Sequence, residues 1–214
     1  MKNSKKIFLL ALIIALLLHY VISNIPYIGY IINYIVTIFH EIGHGVGALI
    51  TFGNFHKIDI NIDGSGLATT SGGIRAIVLL GGFIGSLIFG NLLLKASLNI
   101  KDKDYISFFM GIIFSILAIF FSADIFSFII IMFYAIIFFT LFKYNKYNKY
   151  IFSVLGFLVI FYVLLDFNVG PISDIGKFAD IFIIIPSFVW MYIWLLLGLF
   201  ITIFNIYYIF KKSN

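Results

Sequence analysis

The sequence predicts an all-α integral membrane protein, a bundle of about six or seven transmembrane helices with a short β-hairpin between the second and third. Hydrophobic residues make up 63% of the 214 residues and charged residues only 11%, about half the charged share that a soluble surface needs. The apolar residues form runs close to the ~20 residues with which a helix crosses a bilayer. One connection instead alternates apolar and polar residues, as a half-buried strand does. We therefore expect residues 1–214 to form a single membrane-embedded domain.

Seven apolar runs mark the predicted spans. Barrel strands would alternate over about ten residues, and these runs do not alternate, so each is predicted to be a helix. The fourth and fifth runs are short for a span, which leaves the number of crossings at six or seven. The runs cover residues 7–23, 28–52, 74–97, 105–121, 125–142, 150–167 and 187–210.

The connection between the second and third runs differs from the short polar connections elsewhere. Isoleucines alternate with polar residues over positions 55–62, and the turn sequence DGSG follows at 63–66. This pattern predicts a β-hairpin over residues 55–73. A second long connection, residues 168–186, is too polar to cross the membrane.

The net charge of +5 arises from lysines near the ends of the apolar runs. Lysines at such positions meet lipid headgroups. No basic stripe with interleaved aromatics occurs in a soluble segment, so we expect the lipid bilayer, and no nucleic acid, as a partner. The chain has no cysteine, which excludes disulfides and thiolate metal sites, so any metal must be held by His, Asp or Glu.

The lysines at positions 2, 5 and 6 favour a cytoplasmic N-terminus, in a cell membrane of the bacterial type. Seven crossings would then put the hairpin and the 168–186 connection on the cytoplasmic side. The lysines of residues 143–149 and 211–212 would fall outside, against the positive-inside rule. A merged or re-entrant segment within residues 105–142 would remove this conflict.

Chemistry-bearing residues are concentrated in the second run, in the HEIGH stretch at 40–44. On a helix, His40 and His44 lie on one face, and two imidazoles at this spacing can hold one ion. Glu41 can reach a zinc-bound water, whose pKa is lowered to ~7, and accept its proton. The motif also arises by chance in soluble helices, but an ionisable residue in mid-membrane costs about 2.5–3.5 kcal/mol and needs a reason. The stretch therefore predicts a zinc site.

Glycines follow the metal-binding face of the second run and recur along the third, from Gly81 to Gly90. Small residues at this spacing allow close packing of membrane helices, which we expect between these two. Asn91 is a candidate hydrogen-bond donor to a developing oxyanion, although an interfacial helix cap is the favoured interpretation.

Three segments together resemble the M50B-like branch of the site-2 protease superfamily. They are the helix FHEIGHGVGALITFG, the hairpin sequence DGSGLATTSGG and LLGGFIGSLIFG at 79–90; the resemblance covers about residues 28–90 and resumes near Asn168. It implies an intramembrane zinc metallopeptidase with Zn²⁺ as cofactor. His40 and His44 would be metal ligands, and Glu41 would be the catalytic general base.

In this superfamily an aspartate from a later N-x-x-P…D-G-like segment is the third ligand. Residues 168–176 give N-x-x-P-x-x-D-x-G, which departs from that pattern because Ile175 separates Asp174 from Gly176. The resemblance thus implies Asp174 as the third ligand. Without the resemblance, Asp174 could equally be a residue of a polar turn or a helix cap. The alternative ligands are Asp166, Asp180 and Asp124.

The implied activity is cleavage of a transmembrane or membrane-adjacent peptide, with a membrane protein or peptide as substrate. The hairpin could pair with an unwound substrate, because a helical substrate hides its peptide bonds. The alternative is a non-proteolytic membrane protein that retains a structural or regulatory zinc site. A transporter is less favoured, since the sequence lacks paired broken helices in corresponding halves.

Overall fold

A computed structural model describes residues 2–25, 27–97, 105–165 and 168–212 of the chain. A helix lies on each of the seven predicted runs, and an eighth, short helix lies in the 168–186 connection. The helices are α1 (Lys2–Asn24), α2 (Ile28–Ile50), α3 (Arg75–Ser97), α4 (Tyr105–Phe121), α5 (Ile125–Lys143), α6 (Asn148–Leu165), α7 (Asp174–Ile181) and α8 (Ser187–Lys212). Strands β1 (Asn54–Ile60) and β2 (Gly66–Ser71) form an antiparallel hairpin between α2 and α3. The predicted class, a helical membrane protein with this hairpin, is confirmed.

Four of the described helices are long and apolar enough to cross a membrane: Arg75–Ser97, Ile125–Lys143, Asn145–Leu165 and Ser187–Lys211. Shorter apolar helices cover Lys6–Val21 and Tyr105–Phe121. Helix α2, which carries the HEIGH stretch, is not among these four. Large aliphatic and aromatic side chains cover much of the outer surface, as expected where lipid replaces water as the solvent.

Helices α2 and α3 run antiparallel and meet backbone to backbone through their glycines. A Cβ atom built on Gly47 would lie 2.8 Å from the carbonyl oxygen of Ile77, and one on Gly85 would lie 2.6 Å from the Cα of Gly43. No larger residue fits at these separations without moving the backbone. This is the close packing that the glycine spacing predicts.

The hairpin folds back along α2 instead of projecting away from the helices. The hydroxyl of Tyr34 donates to the carbonyl of Ile62 at 2.8 Å, and the hydroxyl of Thr37 donates to the carbonyl of Gly64 at 2.7 Å. These donors lie on α2 well before the HEIGH stretch, so the hairpin passes the metal-binding residues and its tip is fixed to the first half of the helix.

The outer edge of β1 is closed by the connection between α4 and α5. The carbonyl of Ile58 accepts a hydrogen bond from the N–H of Ala123 at 2.8 Å, and the N–H of Ile60 donates to the hydroxyl of Ser127 at 2.9 Å. Both isoleucines are buried. The sheet is therefore open for further pairing only along β2, apart from the N–H of Ala68, which donates to Glu41.

Helices α4 and α5 pack against each other through aromatic rings. The ring of Phe108 lies 5.2 Å from that of Phe142 and 5.9 Å from that of Phe139, and the rings of Phe114 and Phe138 are 5.0 Å apart. Edge-to-face and tilted contacts of this kind are favourable and leave room for the side chains to adjust.

The bundle has two distinct ends. At one, which we call the lysine end, α3 finishes beside the start of α6, where the hydroxyl of Ser153 donates to that of Ser97 at 2.8 Å. The end of α8 is also there, because Lys95 lies over the ring of Tyr208 at 5.7 Å. The hairpin, the α4–α5 connection and α7 lie at the opposite end, which we call the hairpin end.

The start of α1 belongs to the lysine end. The ring of Phe8 lies 4.9 Å from that of Phe157 on α6 and 5.1 Å from that of Phe210 near the end of α8. We expected the N-terminal segment and the hairpin on the same side, on the assumption that α1 and α2 each cross the membrane in turn. The membrane side on which each end of the bundle lies stays a prediction.

Candidate metal centre

The structure brings His40, His44 and Asp174 together. The Nε2 atoms of the two histidines are 3.1 Å apart, and the Oδ2 atom of Asp174 is 3.0 Å from Nε2 of His40 and 3.1 Å from Nε2 of His44. Within the described part of the chain, these residues form the one group of three or more His, Cys, Asp or Glu side chains that could hold a metal ion.

The arrangement of these donor atoms fits a zinc ion. Tetrahedral zinc with ligand bonds of about 2.0–2.1 Å separates neighbouring donors by about 3.3 Å, close to the 3.0–3.1 Å observed. The Nδ1–H of His44 donates to the carbonyl of Val78 at 2.8 Å. A ligating histidine is normally held by such a bond on its other nitrogen, which leaves Nε2 free to coordinate. The residues present thus fit the implied metal.

Gly82 on α3 provides the space for both imidazole rings. A Cβ atom at this position would lie 2.6 Å from Cε1 of His44 and 2.7 Å from Cε1 of His40. Any side chain on Gly82 would therefore displace the rings from between the two helices. From the sequence, this glycine could be identified only as a helix-packing residue. The spacing of glycines along the third run does not show which side chains a glycine faces.

Asp174 is presented by the first turn of α7. Ser173 caps this helix, and its hydroxyl accepts a hydrogen bond from the N–H of Gly176 at 3.0 Å. The cap fixes the direction in which α7 begins, and with it the position of Asp174 in the first turn. Asp174 is therefore not the cap that the alternative interpretation offered; it is the first residue of α7 and lies against the histidines.

The departure of this segment from the D-G pattern has a structural explanation. Gly176 lies so close to the carbonyl of Gly170 that a Cβ atom would collide with it. The turn at Gly170 is in turn held by the side chain of Asn168, which accepts from its N–H at 2.8 Å. The intervening Ile175 is buried in the core. The glycine is thus needed at position 176 and not at 175, because position 176 is where α7 contacts the preceding turn.

Glu41 lies beside the donor group but points to the hairpin. The N–H of Ala68 on β2 donates to its Oε2 atom at 2.6 Å, and the residue is only 5% exposed. Gly66 allows this approach, because a Cβ atom there would lie 3.0 Å from Cγ of Glu41. The carboxylate is therefore close to the three donors without being one of them.

A cavity of about 540 Å³ opens over the site. Its lining includes the histidines, Glu41, the outer edge of β2 and the turn that precedes α7. Tyr162 of α6 closes another side, with its ring 5.6 Å from that of His40 in an edge-to-face contact. The open edge of the sheet and the metal-binding side chains thus face one cavity.

The alternative ligands lie elsewhere. Asp124 caps α5 and accepts from the N–H of Ser127 at 2.7 Å; the hydrogen bonds from this N–H and from the Ser127 hydroxyl lower the pKa of Asp124. Asp180 lines a separate cavity beside α7. Asp166 lies outside the described residues. Neither Asp124 nor Asp180 approaches the histidines, which leaves Asp174 as the described aspartate beside them.

Asn91 takes neither of the two roles that the sequence suggested. Its side-chain nitrogen donates to the carbonyl of Leu87 at 2.9 Å, and its oxygen accepts from the side chain of Asn205 at 2.9 Å. It is buried between α3 and α8, and it does not line the cavity. It joins two membrane helices by interhelical hydrogen bonds.

Of three comparisons with known proteins, one finds a match. Neither the search of curated proteins nor the search of solved structures finds a matching protein. The model of the family described as Peptidase M50B-like matches residues 8–205, nearly the whole chain. This protein therefore belongs to the M50B-like peptidase family.

Proposed function

We propose that this protein is an intramembrane zinc metalloendopeptidase that cleaves transmembrane or membrane-adjacent peptides. The observation that carries the proposal is the approach of three donor atoms, from His40, His44 and Asp174, within 3.0–3.1 Å of one another. Family membership supports a peptidase in the membrane. The three donors would hold the ion at the wall of the cavity, which all three residues line.

Glu41 is the proposed general base and acid. It follows the first histidine on α2, so its side chain is rotated by about 100° around the helix from that of His40. Its carboxylate lies at the cavity wall, where it can accept a proton from an attacking water and return it to the leaving amine. A bound zinc ion would lower the pKa of that water to about 7 and polarise the peptide carbonyl.

The outer edge of β2 is the proposed binding surface for an extended substrate. The opposite edge of the hairpin is occupied by Ala123 and Ser127, whereas residues 66–68 of β2 line the cavity. A strand added there would run past Glu41 and the donor atoms, and pairing at Ala68 would require Glu41 to release the Ala68 N–H. Unwinding is required first, because a helix hides its peptide groups.

The decisive experiment compares Glu41→Gln with His40→Ala in purified protein. Zinc per chain is measured by elemental analysis, and cleavage is measured on dye-labelled casein as an unstructured probe. Glu41→Gln should keep one zinc and lose cleavage by about 10²–10⁴-fold, because an amide keeps the shape but not the base. His40→Ala should lose both, since the i, i+4 pair is broken.

Two outcomes would count against the proposal. Wild-type cleavage by Glu41→Gln would remove this residue from the chemistry. If the wild-type protein holds zinc but Glu41→Gln leaves a measured cellular role intact while His40→Ala destroys it, the zinc is structural or regulatory. The non-proteolytic alternative would then be preferred.

A further inference from the structure

We infer that Lys177 is a specificity-determining residue, which selects substrates that carry an aspartate or glutamate side chain near the bond to be cleaved. The inference rests on the proposed peptidase function, because it names the substrate class of the same cavity. It follows from the charges that line this cavity and from the position of Lys177 on α7.

The two carboxylates in the lining of the cavity already have partners. The Oδ2 atom of Asp174 lies 3.0 Å and 3.1 Å from the Nε2 atoms of the two histidines. The Oε2 atom of Glu41 accepts from the N–H of Ala68 at 2.6 Å. The negative charges of the lining are thus directed at the histidines and at the hairpin.

Several neutral polar side chains of the lining hold turns. The hydroxyl of Ser65 donates to the Oδ1 atom of Asp63 at 2.7 Å, next to the tip of the hairpin. The Oδ1 atom of Asn168 accepts from the N–H of Gly170 at 2.8 Å, and the hydroxyl of Ser173 caps α7. These groups shape the cavity and are engaged before any substrate enters it.

Lys177 is the one lysine or arginine among the described residues that line the cavity. Its side chain is partly buried, and it forms no ion pair with another described residue. The next acidic residue on α7, Asp180, lines the separate cavity. A cation that is partly shielded from water gains more from a negative partner than an exposed one does. The cavity therefore favours an occupant that supplies a negative charge.

Helix α7 places this charge close to the donor atoms. The N–H of Lys177 donates to the carbonyl of Ser173 at 2.9 Å, so the helix is regular over this turn. Asp174 and Lys177 are three residues apart, which puts them on one face with about 5–6 Å between their Cβ atoms. Helical side chains also lean toward the N-terminus of their helix, so the stem of Lys177 leans toward Asp174. Its ammonium group can therefore meet a substrate residue within about four positions of the cleaved bond, at ~3.3 Å per residue of extended chain.

A carboxylate is the negative group that a peptide offers. It can be the side chain of an aspartate or glutamate, or the free carboxyl terminus. An endopeptidase cleaves within a chain, so its substrate passes through the cavity and has no terminus there. The side chain is therefore the inferred partner of Lys177.

Peptide binding tests the inference without cleavage, in the Glu41→Gln background. Amidated fluorescent peptides of about ten residues, enough to extend past the reach of Lys177, carry one Glu, Gln or Lys at each position in turn. Fluorescence anisotropy of the purified protein in detergent measures their affinities. The best Glu peptide should bind about five-fold or more tighter than its Gln counterpart, because exposed ion pairs already reach this value. Lys177→Gln should remove the preference, and Lys177→Glu should transfer it to a Lys peptide.

The matched control is Lys57→Glu, the same charge change on β1 at a residue that does not line the cavity. It should leave the preference unchanged, and zinc content should be equal in all variants. Equal binding of the Glu and Gln peptides at every position, or a preference that survives Lys177→Glu, would overturn the inference. So would a preference for the free carboxyl terminus of a neutral peptide in place of a side chain.

Cleavage of dephosphorylated casein separates this inference from the proposed function. The cleaved bonds are mapped by mass spectrometry in protein that retains Glu41. Acidic residues should be enriched several-fold at one fixed distance from the bond, and Lys177→Glu should replace them with basic residues. Cleavage without such enrichment would reject the role of Lys177 and leave the peptidase standing. A peptide-binding preference without any cleavage would reject the peptidase and leave Lys177 as a carboxylate-binding residue.

Discussion

The α2–α3 pair and the α4–α5 pair are both antiparallel helix pairs, but they are held together by opposite means. Between α2 and α3 the backbones touch through glycines, as at Gly43 and Gly85. Between α4 and α5 the rings of residues such as Phe108 and Phe139 fill the space. The first contact admits no additional atom, whereas the second is built from side chains that can rotate.

The difference explains why the site is in the first pair. A zinc site needs its ligands held to within fractions of an ångström, and backbone contact fixes the two helices more tightly than rings do. Gly82 then gives the imidazoles of His40 and His44 their space within a close interface. Apolar burial alone, as in α4–α5, would stabilise the bundle without defining a site.

The largest effect is expected for Gly82→Val. Its branched side chain would occupy the space of both imidazole rings, so zinc binding should fall below detection while the helical content is retained. The matched control is Gly111→Val on α4, where a Cβ atom would lie 2.8 Å from the ring of Phe139. That ring can move aside, and zinc should remain at the wild-type level in elemental analysis. If Gly111→Val also lost its zinc, zinc binding would be equally sensitive to added side chains in both helix pairs.

A smaller loss is expected for Asp174→Ala, which removes the ligand that comes from outside the α2–α3 pair. With two histidines left, zinc affinity should drop by at least about 10²-fold, since ligand loss exceeds the 10–100-fold effect of outer-shell changes. Asp180→Ala on the same helix should bind zinc normally. Competition with a fluorescent chelator measures both affinities. Unchanged affinity for Asp174→Ala would direct the search for the third ligand to Asp166.

Next in size is the effect of Gly43→Ala on stability. The new methyl group would collide with the backbone carbonyl of Gly81, which cannot rotate away. Forced separation of the helices should cost about 1–3 kcal/mol of unfolding free energy. The control Gly198→Ala on α8 meets the terminal methyl of Leu164 at 2.7 Å, and this side chain can adjust. Denaturant unfolding in detergent, followed by circular dichroism, should separate the two variants.

The smallest effect is expected for Phe139→Leu in the α4–α5 pair. The ring lies at the partly exposed side of that interface, so the loss of unfolding free energy should stay below about 1.5 kcal/mol. Zinc content and the unfolding midpoint are the two measurements. A loss as large as that of Gly43→Ala would abolish the proposed distinction between the pairs.

Most of the fold could be predicted because lipid imposes a simple requirement on the sequence. A long apolar run must be helical, so the fourth run was placed at residues 105–121 and the helix covers Tyr105–Phe121. The predicted end of α2 was two residues late. Phe52 is apolar but has a positive φ of 63°, so the chain turns there. Hydropathy records what a residue faces and does not record where the backbone bends.

The candidate site was predictable only where side chains carry the signal. The spacing of His40, Glu41 and His44 is visible in the sequence, and the position of Asp174 was implied by resemblance. Their roles as ligands and base remain predictions. The contacts of Val78 and Ala68 could not be anticipated, because both act through backbone groups that every residue has. Helix α7 was not identified as a helix, since eight residues are too few for a periodic pattern.

The tip of the hairpin has a consequence for changes in chain length. Loop tips usually tolerate insertions because they end in solvent. Here Gly64 has a φ of +89°, is buried, and has a carbonyl that accepts from Thr37; a Cβ atom there would lie 3.0 Å from the side chain of Asn33. A residue inserted at Gly64 would thus break the contacts that hold the tip against α2. Length variation is expected instead at residues 144–147, where the chain turns with two exposed tyrosines.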